Sequence, residues 1–139
     1  MNYWIFVSVP FTDYNVGTIY EMLEKIRNSK KWPLGKRTFH RKKLQAGDKV
    51  LFYQGGENGR MIVASAELSS ALRHTENLHS FVKINRFRIW SNPIDIRELF
   101  NDLSFIKNKK HWSAYFQGGI VKISKEDYNR ILRKAELAE

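Results

Sequence analysis

The stretch from residue 44 to residue 68 reads LQAGDKVLFYQGGENGRMIVASAEL, and it decides the fold. Gly47-Asp48 is a turn signal, and it opens a hydrophobic run over residues 49–54 that is typical of a β-strand. Residues 55–59 contain three glycines and an Asn-Gly pair, which favour a short connection. A second β-favouring run covers residues 61–68. The pattern predicts an antiparallel hairpin built from strands 49–54 and 61–68.

Further strands are predicted on both sides of this hairpin. The aromatic and β-branched run from Tyr3 to Val9 stops at Pro10 and indicates a buried strand. Residues 81–90 favour a long strand that Asn92-Pro93 should end. Residues 112–116 and 120–123, separated by a Gly-Gly pair, are typical of a broken pair of strands.

Two principal helices are predicted, each with a capping signal. Thr18 and Glu21 form a capping box before apolar residues at helical spacing, which predicts a helix over residues 19–29. Ser124 and Asp127 repeat this pattern and predict a final helix that reaches about Ala138. Residues 30–44 are expected to be irregular with a helical turn near 41–44, and residues 69–80 are also expected to be irregular. A short helix is expected within residues 94–100. These elements predict an α+β fold, a mixed sheet of five or six strands with helices at its sides.

The composition restricts the class of protein. With 139 residues, 42% of them hydrophobic, the chain is expected to form one domain over residues 1–139. The absence of cysteine excludes disulfides, thiol nucleophiles and thiolate zinc sites. No apolar run is long enough for a membrane span and no signal peptide is recognisable, so a cytoplasmic location is expected. A net charge of +10 favours a polyanionic partner, although a basic surface also serves solubility.

The positive charge is concentrated in two segments that also contain aromatic residues. In the first segment, residues 30–43, seven cations accompany Trp32 and Phe39, with no acidic residue among them. In the second segment, residues 107–116, three lysines precede Trp112, Tyr115 and Phe116. Cations neutralise phosphates while rings stack on bases, so we call these the basic-aromatic segments and predict that they bind nucleic acid. The predicted phosphate-binding residues are Lys30, Lys31, Lys36, Arg37, Arg41, Lys42, Lys43, Lys107, Lys109 and Lys110.

Simpler explanations exist for both segments. The first could be a solvated loop, Trp32 could fill the hydrophobic core, and Trp112 could pack against the last helix. The two segments form one binding face only if the fold brings them together. Catalytic signals are weak: the four histidines are scattered, and the glycine pairs lack the context of a phosphate-binding loop. We therefore expect no metal, no cofactor and no catalytic residues.

Four motifs in order resemble those of a known family. YWIFVS at 3–8, WPLG at 32–35, LQAGDKVLFY at 44–53 and IVASAE at 62–67 together resemble the EVE domain of the PUA-like superfamily. The segment NDLSFIKNKKHW at 101–112 is similar to the small stand-alone archaeal and bacterial members. The resemblance covers nearly the whole chain. It implies a PUA-like mixed β-barrel with flanking helices, related to the YTH and ASCH domains.

The resemblance also implies a function. EVE domains are associated with modified DNA bases and YTH domains with methylated adenine in RNA, in both cases through a pocket with aromatic walls. The implied partner is therefore nucleic acid, DNA or RNA, with a modified, flipped-out base. Val9-Pro10 stands where an acidic residue before proline is usual, which weakens any polar contact assigned there. Carried over by position, the base-pocket residues are Ser8, Trp32, Leu34, Gly35, Tyr53, Gln54 and Phe116.

Two alternative functions stay open from the sequence. Some ASCH relatives hydrolyse acylated pyrimidine nucleosides with a lysine, a threonine and a glutamate, and Lys36, Thr38 and Glu67 could take those roles. A lysine that acts as a base needs a pKa lowered by burial, and the dense cationic loop around Lys36 either assists this or leaves the lysine solvated. The other alternative is a protein-interaction module that uses exposed aromatic residues.

Overall fold

The computed structural model describes residues 1–8, 19–35, 38, 40–55, 60–74, 80–116 and 119–138. The strands and α-helices within these ranges, in chain order, are β1 (Tyr3–Ser8), α1 (Ile19–Ser29), β2 (Lys31–Leu34), β3 (Lys49–Gln54), β4 (Met61–Leu68), β5 (Arg73–His74), β6 (Ser80–Asp95), β7 (Ile120–Ile123) and α2 (Lys125–Ala138). Short 3₁₀ helices cover Arg41–Lys43, Ile96–Glu98, Phe100–Asp102 and Lys109–Phe116. The predicted hairpin, both principal helices and β7 are confirmed.

The strands form one curled, mixed sheet. Its order is β2-β6-β4-β3-β1-β7, and β5 pairs with β6 beside this path. β1 runs parallel to β3, with Tyr3 opposite Lys49 and Ser8 opposite Gln54, whereas the other pairs are antiparallel. Both carboxyl ends of the parallel pair therefore lie at one edge of the sheet. This edge becomes important for the candidate site.

Each side of the sheet carries its own hydrophobic core, which explains why β1 is apolar at successive positions. Trp4 and Phe6 point into the first core, together with Leu23 and Ile26 of α1. Ile5 points into the second core, which α2 covers with residues such as Ile131. Side chains alternate between the faces of a strand, so one short run supplies both cores.

A buried carboxylate fixes the start of the parallel pair. Asp48 is only 1% exposed. Its oxygens accept hydrogen bonds from the backbone N–H of Asn2 at 2.9 Å, the indole N–H of Trp4 at 2.9 Å and the backbone N–H of Gln45 at 3.1 Å. The turn that the sequence predicted before β3 thus also positions β1, because one side chain binds both segments.

Three predictions about local structure are wrong. Residues 31–34 form β2 rather than a loop, because Pro33 lies on an edge strand where its missing N–H is tolerated. Strand β6 continues past Pro93 to Asp95, since its pairing with β4 is irregular between Ile89 and Ile94 and this irregularity accommodates the proline. Residues 112–116 belong to the 3₁₀ segment Lys109–Phe116, which is kinked at His111, and not to a strand.

Within the described residues, no helix is both long and apolar enough to cross a membrane. Nor do three or more histidine, aspartate or glutamate side chains of these residues form a group that could hold a metal ion.

Candidate nucleic-acid interface

The edge at the carboxyl ends of β1 and β3 brings several predicted residues together. Ser8 and Gln54 are direct neighbours across the parallel pair. One residue earlier, Val7 lies opposite Tyr53, and its N–H donates to the carbonyl oxygen of Gly119 at 2.7 Å. Three separate parts of the chain, residues 7–8, 53–54 and 119, therefore meet here. We call this place the strand-end edge.

Thr38, which follows β2 in the chain, lies beside this edge. Its N–H donates to the carbonyl oxygen of Gly35 at 3.1 Å, which ties Thr38 to the end of β2. A Cβ atom at Gly119 would lie 3.3 Å from Cγ2 of Thr38, and the φ of Gly119 is +82°. Both the contact and the backbone conformation favour glycine at this position. Gly119 thus lets Thr38 approach the start of β7 closely.

A cleft of about 380 Å³ continues from this contact along the outer edge of β7. We call it the β7 cleft, and its size is within the range of small-molecule sites. His40 and Ile120 belong to its lining and are neighbours of Thr38 and Gly119, so the cleft and the strand-end edge are contiguous. The described residues that line it are His40, Phe105, Ala114, Tyr115, Ile120, Val121 and Lys122.

The β7 cleft is where the two basic-aromatic segments meet. His40 comes from the first segment, while Ala114 and Tyr115 come from the second. The Tyr115 ring packs edge-on against Phe105 at 6.5 Å, and its hydroxyl accepts a hydrogen bond from the Asn108 N–H at 3.0 Å. These contacts hold a half-buried aromatic ring in the wall of the cleft. The structure thus brings one residue of the first segment and two of the second to one cleft, whereas the lysines and arginines of the two segments are not among its described lining residues.

Close to the strand-end edge, the charged side chains of Arg60, Asp95 and Arg97 lie around Tyr53. The guanidinium of Arg60 lies 5.9 Å from the centroid of the Trp112 ring. A hydrogen bond from Arg97 holds the pKa of Asp95 below its usual value. Burial raises the pKa of the Tyr53 hydroxyl to about 12, although Arg60 acts in the opposite direction. Tyr53 is therefore a neutral phenol over the physiological range.

Comparison with known proteins identifies the family. A family model described as EVE domain matches residues 2–134. The chain belongs to the EVE domain family. UPF0310 protein PYRAB08750 of Pyrococcus abyssi is 33% identical over 108 residues, and the match covers 65% of this chain and 75% of that protein. UPF0310 protein PH1033 of Pyrococcus horikoshii is 45% identical over 51 residues, which cover 36% of this chain and only 34% of that protein.

A solved structure shows the same fold. The crystal structure of human THYN1 protein in complex with 5-methylcytosine containing DNA aligns with a TM-score of 0.68 and 14% identity. The alignment covers 98% of this chain and 98% of that one. The expected PUA-like mixed sheet with flanking helices is thereby confirmed for this EVE domain.

The aromatic residues predicted for the base pocket lie in two different cores of the EVE domain. Trp32 is 8% exposed and belongs to the first core, where its ring lies 4.9 Å from that of Phe52 and 5.9 Å from that of Phe6. Leu34 is buried in the same core. Tyr53 and Phe116 are buried in the second core and stack on each other at 4.3 Å. Trp32, Tyr53 and Phe116 therefore do not surround one hollow as the sequence led us to expect.

The three remaining pocket candidates lie at the interface. Ser8 and Gln54 end their strands side by side, and Gly35 contacts Thr38, which in turn touches Gly119. Their contact with a base stays a prediction. The residues that the sequence reasoning missed are those of β7 and Phe105. The Gly-Gly pair directly before residue 120 is the sequence signal that could have indicated a close approach at the start of β7.

The predicted phosphate-binding residues of the EVE domain separate into several environments. Arg41 donates to Ser80 Oγ at 3.2 Å and to the Gly35 carbonyl oxygen at 3.4 Å, so it ties Gly35 at the end of β2 to the start of β6. The Lys109 ammonium donates to the carbonyl oxygens of Phe100 and Leu103 at 3.1 and 2.8 Å, which stabilises the 3₁₀ region. Lys36 and Arg37 lie outside the described residues, and the exposed candidates are Lys30, Lys31, Lys42, Lys43, Lys107 and Lys110.

The residues suggested for hydrolysis do not cluster. Glu67 pairs with Lys49, and Lys49 pairs with Tyr3 at the start of β1. Thr38 lies beside Gly119, whose carbonyl oxygen binds the N–H of Val7 near the other end of β1. Four residues of strand correspond to roughly 13 Å. A hydrogen bond from Lys49 holds the pKa of Glu67 below its usual value, and Arg86 lies 3.4 Å from its second oxygen. Glu67 is thus a salt-bridged carboxylate far from Thr38, and Lys36 lies outside the described residues.

Proposed function

We propose that this EVE domain binds nucleic acid and holds a single, modified, flipped-out base between the strand-end edge and the β7 cleft. The observation that carries the proposal is the convergence of the two basic-aromatic segments on this cleft. The net charge of +10 supports a polyanionic partner. The human THYN1 structure with 5-methylcytosine DNA supports the same class of ligand in the same fold.

The energetics suit a base-binding site. Extrusion of a base from a duplex costs a few kcal/mol, and stacking on an aromatic ring returns about 1–3 kcal/mol per base. In the β7 cleft, Tyr115 and Phe105 are the described rings available for such stacking. A methyl group adds about 0.8 kcal/mol when it is buried. The methyl group alone therefore gives only a small preference for a modified base.

Sharper discrimination requires a polar group that reads the base edge. A buried donor or acceptor that loses its partner costs about 1–3 kcal/mol. Gln54 is half-buried at the end of β3 and adjoins Ser8 across the strand pair. Its amide has both donor and acceptor atoms. We assign it the role of reading the edge of the bound base.

The test is a binding titration with a matched pair of variants. Short duplexes that carry one cytosine, 5-methylcytosine, 5-hydroxymethylcytosine or N6-methyladenine are titrated with wild type, Gln54→Glu and Gln45→Glu. Both variants lose one amide and gain one negative charge, but Gln45 is exposed before the opposite end of β3. We expect Gln54→Glu to abolish the preference among the bases and Gln45→Glu to retain it. An equal effect of both substitutions would contradict the assignment of Gln54.

We further propose that the domain binds without turnover. The separation of Glu67 from Thr38 supports this, because a general acid or base must lie within hydrogen-bond reach of the group it serves. Incubation with acylated pyrimidine nucleosides, followed by chromatography, is expected to return them unchanged. Hydrolysis that disappears in Glu67→Gln would instead establish an enzyme.

A further inference from the structure

A second group of cations lies on the exposed face of the sheet formed by β2, β6 and β5. Across this part of the sheet, Lys31 is opposite Lys83, and Phe81 is opposite both Pro33 and Arg73. Directly paired residues share a face, and so do residues two apart along a strand. All five side chains therefore lie on one side. We call this surface, with its cations Lys31, Lys83 and Arg73, the β2–β6–β5 face.

The burial pattern shows that this side faces solvent. The intervening residues Trp32, Leu34 and Val82 are buried in the first core. By contrast, Lys31, Lys83 and Arg73 are exposed, and the Phe81 ring between them is half-buried. The β2–β6–β5 face thus presents three cations around one phenyl ring.

These cations have no carboxylate partner within the described part of the chain. The Lys31 ammonium lies 4.8 Å above the Phe81 ring. Glu67, which is opposite Asn85 two residues beyond Lys83, already binds Lys49 and Arg86. Like charges directly opposite each other on an antiparallel pair are destabilising, and Lys31 and Lys83 stand in that relation. Folding therefore concentrates positive charge here, and no carboxylate of the described residues neutralises it.

We propose that the β2–β6–β5 face binds the phosphodiester backbone of the nucleic acid whose base occupies the proposed site. The inference rests on the proposed function. Continuity supports it, because β2 leads directly into Gly35 at the strand-end edge. Arg41 strengthens this connection, since it bonds both Gly35 and Ser80, and Ser80 lies at the start of β6. Lys83 and Arg73 extend the predicted phosphate-binding set beyond the residues recognised in the sequence.

The experiment compares two triple variants that lose the same charge. The test variant carries Lys31→Gln, Lys83→Gln and Arg73→Gln, and the control carries Lys125→Gln, Lys134→Gln and Arg133→Gln on the exposed surface of α2. Each is titrated over a series of salt concentrations with a methylated duplex, its plain counterpart, and phosphatidylserine vesicles. Circular dichroism and thermal unfolding verify that both variants are folded.

The outcomes separate this inference from the proposed function. Each lost phosphate contact lowers the slope of log K against log salt by about 0.9 on a duplex. We expect the test variant to lose about two to three units of slope with an unchanged methylated-to-plain ratio, because phosphate contacts carry no base information. Equal slopes for the two variants would overturn the inference and leave the proposed function intact. Wild type that binds vesicles but no duplex would overturn both.

Discussion

Replacement of the buried Asp48 is expected to destabilise the protein strongly. Its carboxylate accepts three hydrogen bonds, from Asn2, Trp4 and Gln45. A hydrogen bond to a charged group contributes about 1.5–3 kcal/mol. Trp4 is 0% exposed, so its indole N–H finds no water when the acceptor is removed. The two backbone donors are part-buried and recover some of the loss through hydration. Counting about 1.5–2 kcal/mol for the Trp4 bond and about half of that for each backbone donor, we expect Asp48→Ala to lose about 3–4 kcal/mol in the free energy of unfolding.

Chemical unfolding in urea, followed by circular dichroism, measures this loss directly. Thermal unfolding should show a decrease of roughly 10 °C in Tm for a chain of this length. Asp48→Asn is expected to lie between wild type and alanine, since its amide keeps one accepting oxygen and presents N–H groups to the remaining donors. Asp102→Ala is the control, because Asp102 is exposed and its carbonyl oxygen, not its side chain, accepts from Arg130. A loss below about 1 kcal/mol in Asp48→Ala would refute the reasoning.

Three further predictions concern other buried or charged groups. Trp32→Ala should cost about 3–5 kcal/mol in urea unfolding, since the ring packs between Phe6 and Phe52, and the milder Trp32→Phe should cost clearly less. The pKa of Glu67 lies below its ordinary value of 4.5, so the carboxylate stabilises the fold above pH 4.5 and this stabilisation is lost as the pH falls through the lower folded value. On acidification, the urea midpoint of Glu67→Gln should therefore decrease less than that of wild type. The raised pKa of Tyr53, about 12, implies that stability falls as the pH rises above 10, and ultraviolet titration of wild type against Tyr53→Phe checks both the value and the loss.

The sequence predicted those elements in which local preference and tertiary packing agree. The hairpin of β3 and β4 has hydrophobic strands and a glycine-rich connection, and its observed limits are the predicted ones. Helix α1 follows its apolar spacing from Ile19 to Ser29. In α2, Ser124 accepts the Asp127 N–H at 3.1 Å as the capping pattern predicts. Asp127 uses its own carboxylate differently, since it binds the N–H and hydroxyl of Ser104.

The failures occur where distant residues determine the local structure. Trp32-Pro33 has the pattern of a loop, but pairing with β6 draws it into an edge strand. Residues 112–116 have strand-like composition, yet they lie in a kinked 3₁₀ segment that the Lys109 ammonium joins to the carbonyl oxygens of Phe100 and Leu103, outside the segment. No sequence pattern within these segments indicates either partner.

In the candidate site too, local features could be predicted from the sequence, whereas features that depend on tertiary packing could not. The motifs singled out Ser8, Gly35 and Gln54, and the structure brings these three residues to one edge, although their contact with a base stays a prediction. They did not reveal which core each ring enters. Trp32 and Tyr53 diverge because the sheet curls and its opposite faces carry different cores. Lys83 and Arg73 were missed for a related reason, since only strand pairing places them beside Lys31.

The position of β1 between β3 and β7 has a consequence for synthesis on the ribosome. β1 is synthesised before the other described strands, but its parallel partner follows more than forty residues later and its antiparallel partner only with Ile120–Ile123. Pairings between such distant segments form slowly, because the intervening chain must first be ordered. The nascent polypeptide therefore carries the aromatic run Tyr3–Ser8 without its second strand neighbour until Ile120–Ile123 has been synthesised. Chaperone dependence should consequently be greatest for nascent chains stalled before residue 120, and it should diminish once β7 has left the exit tunnel.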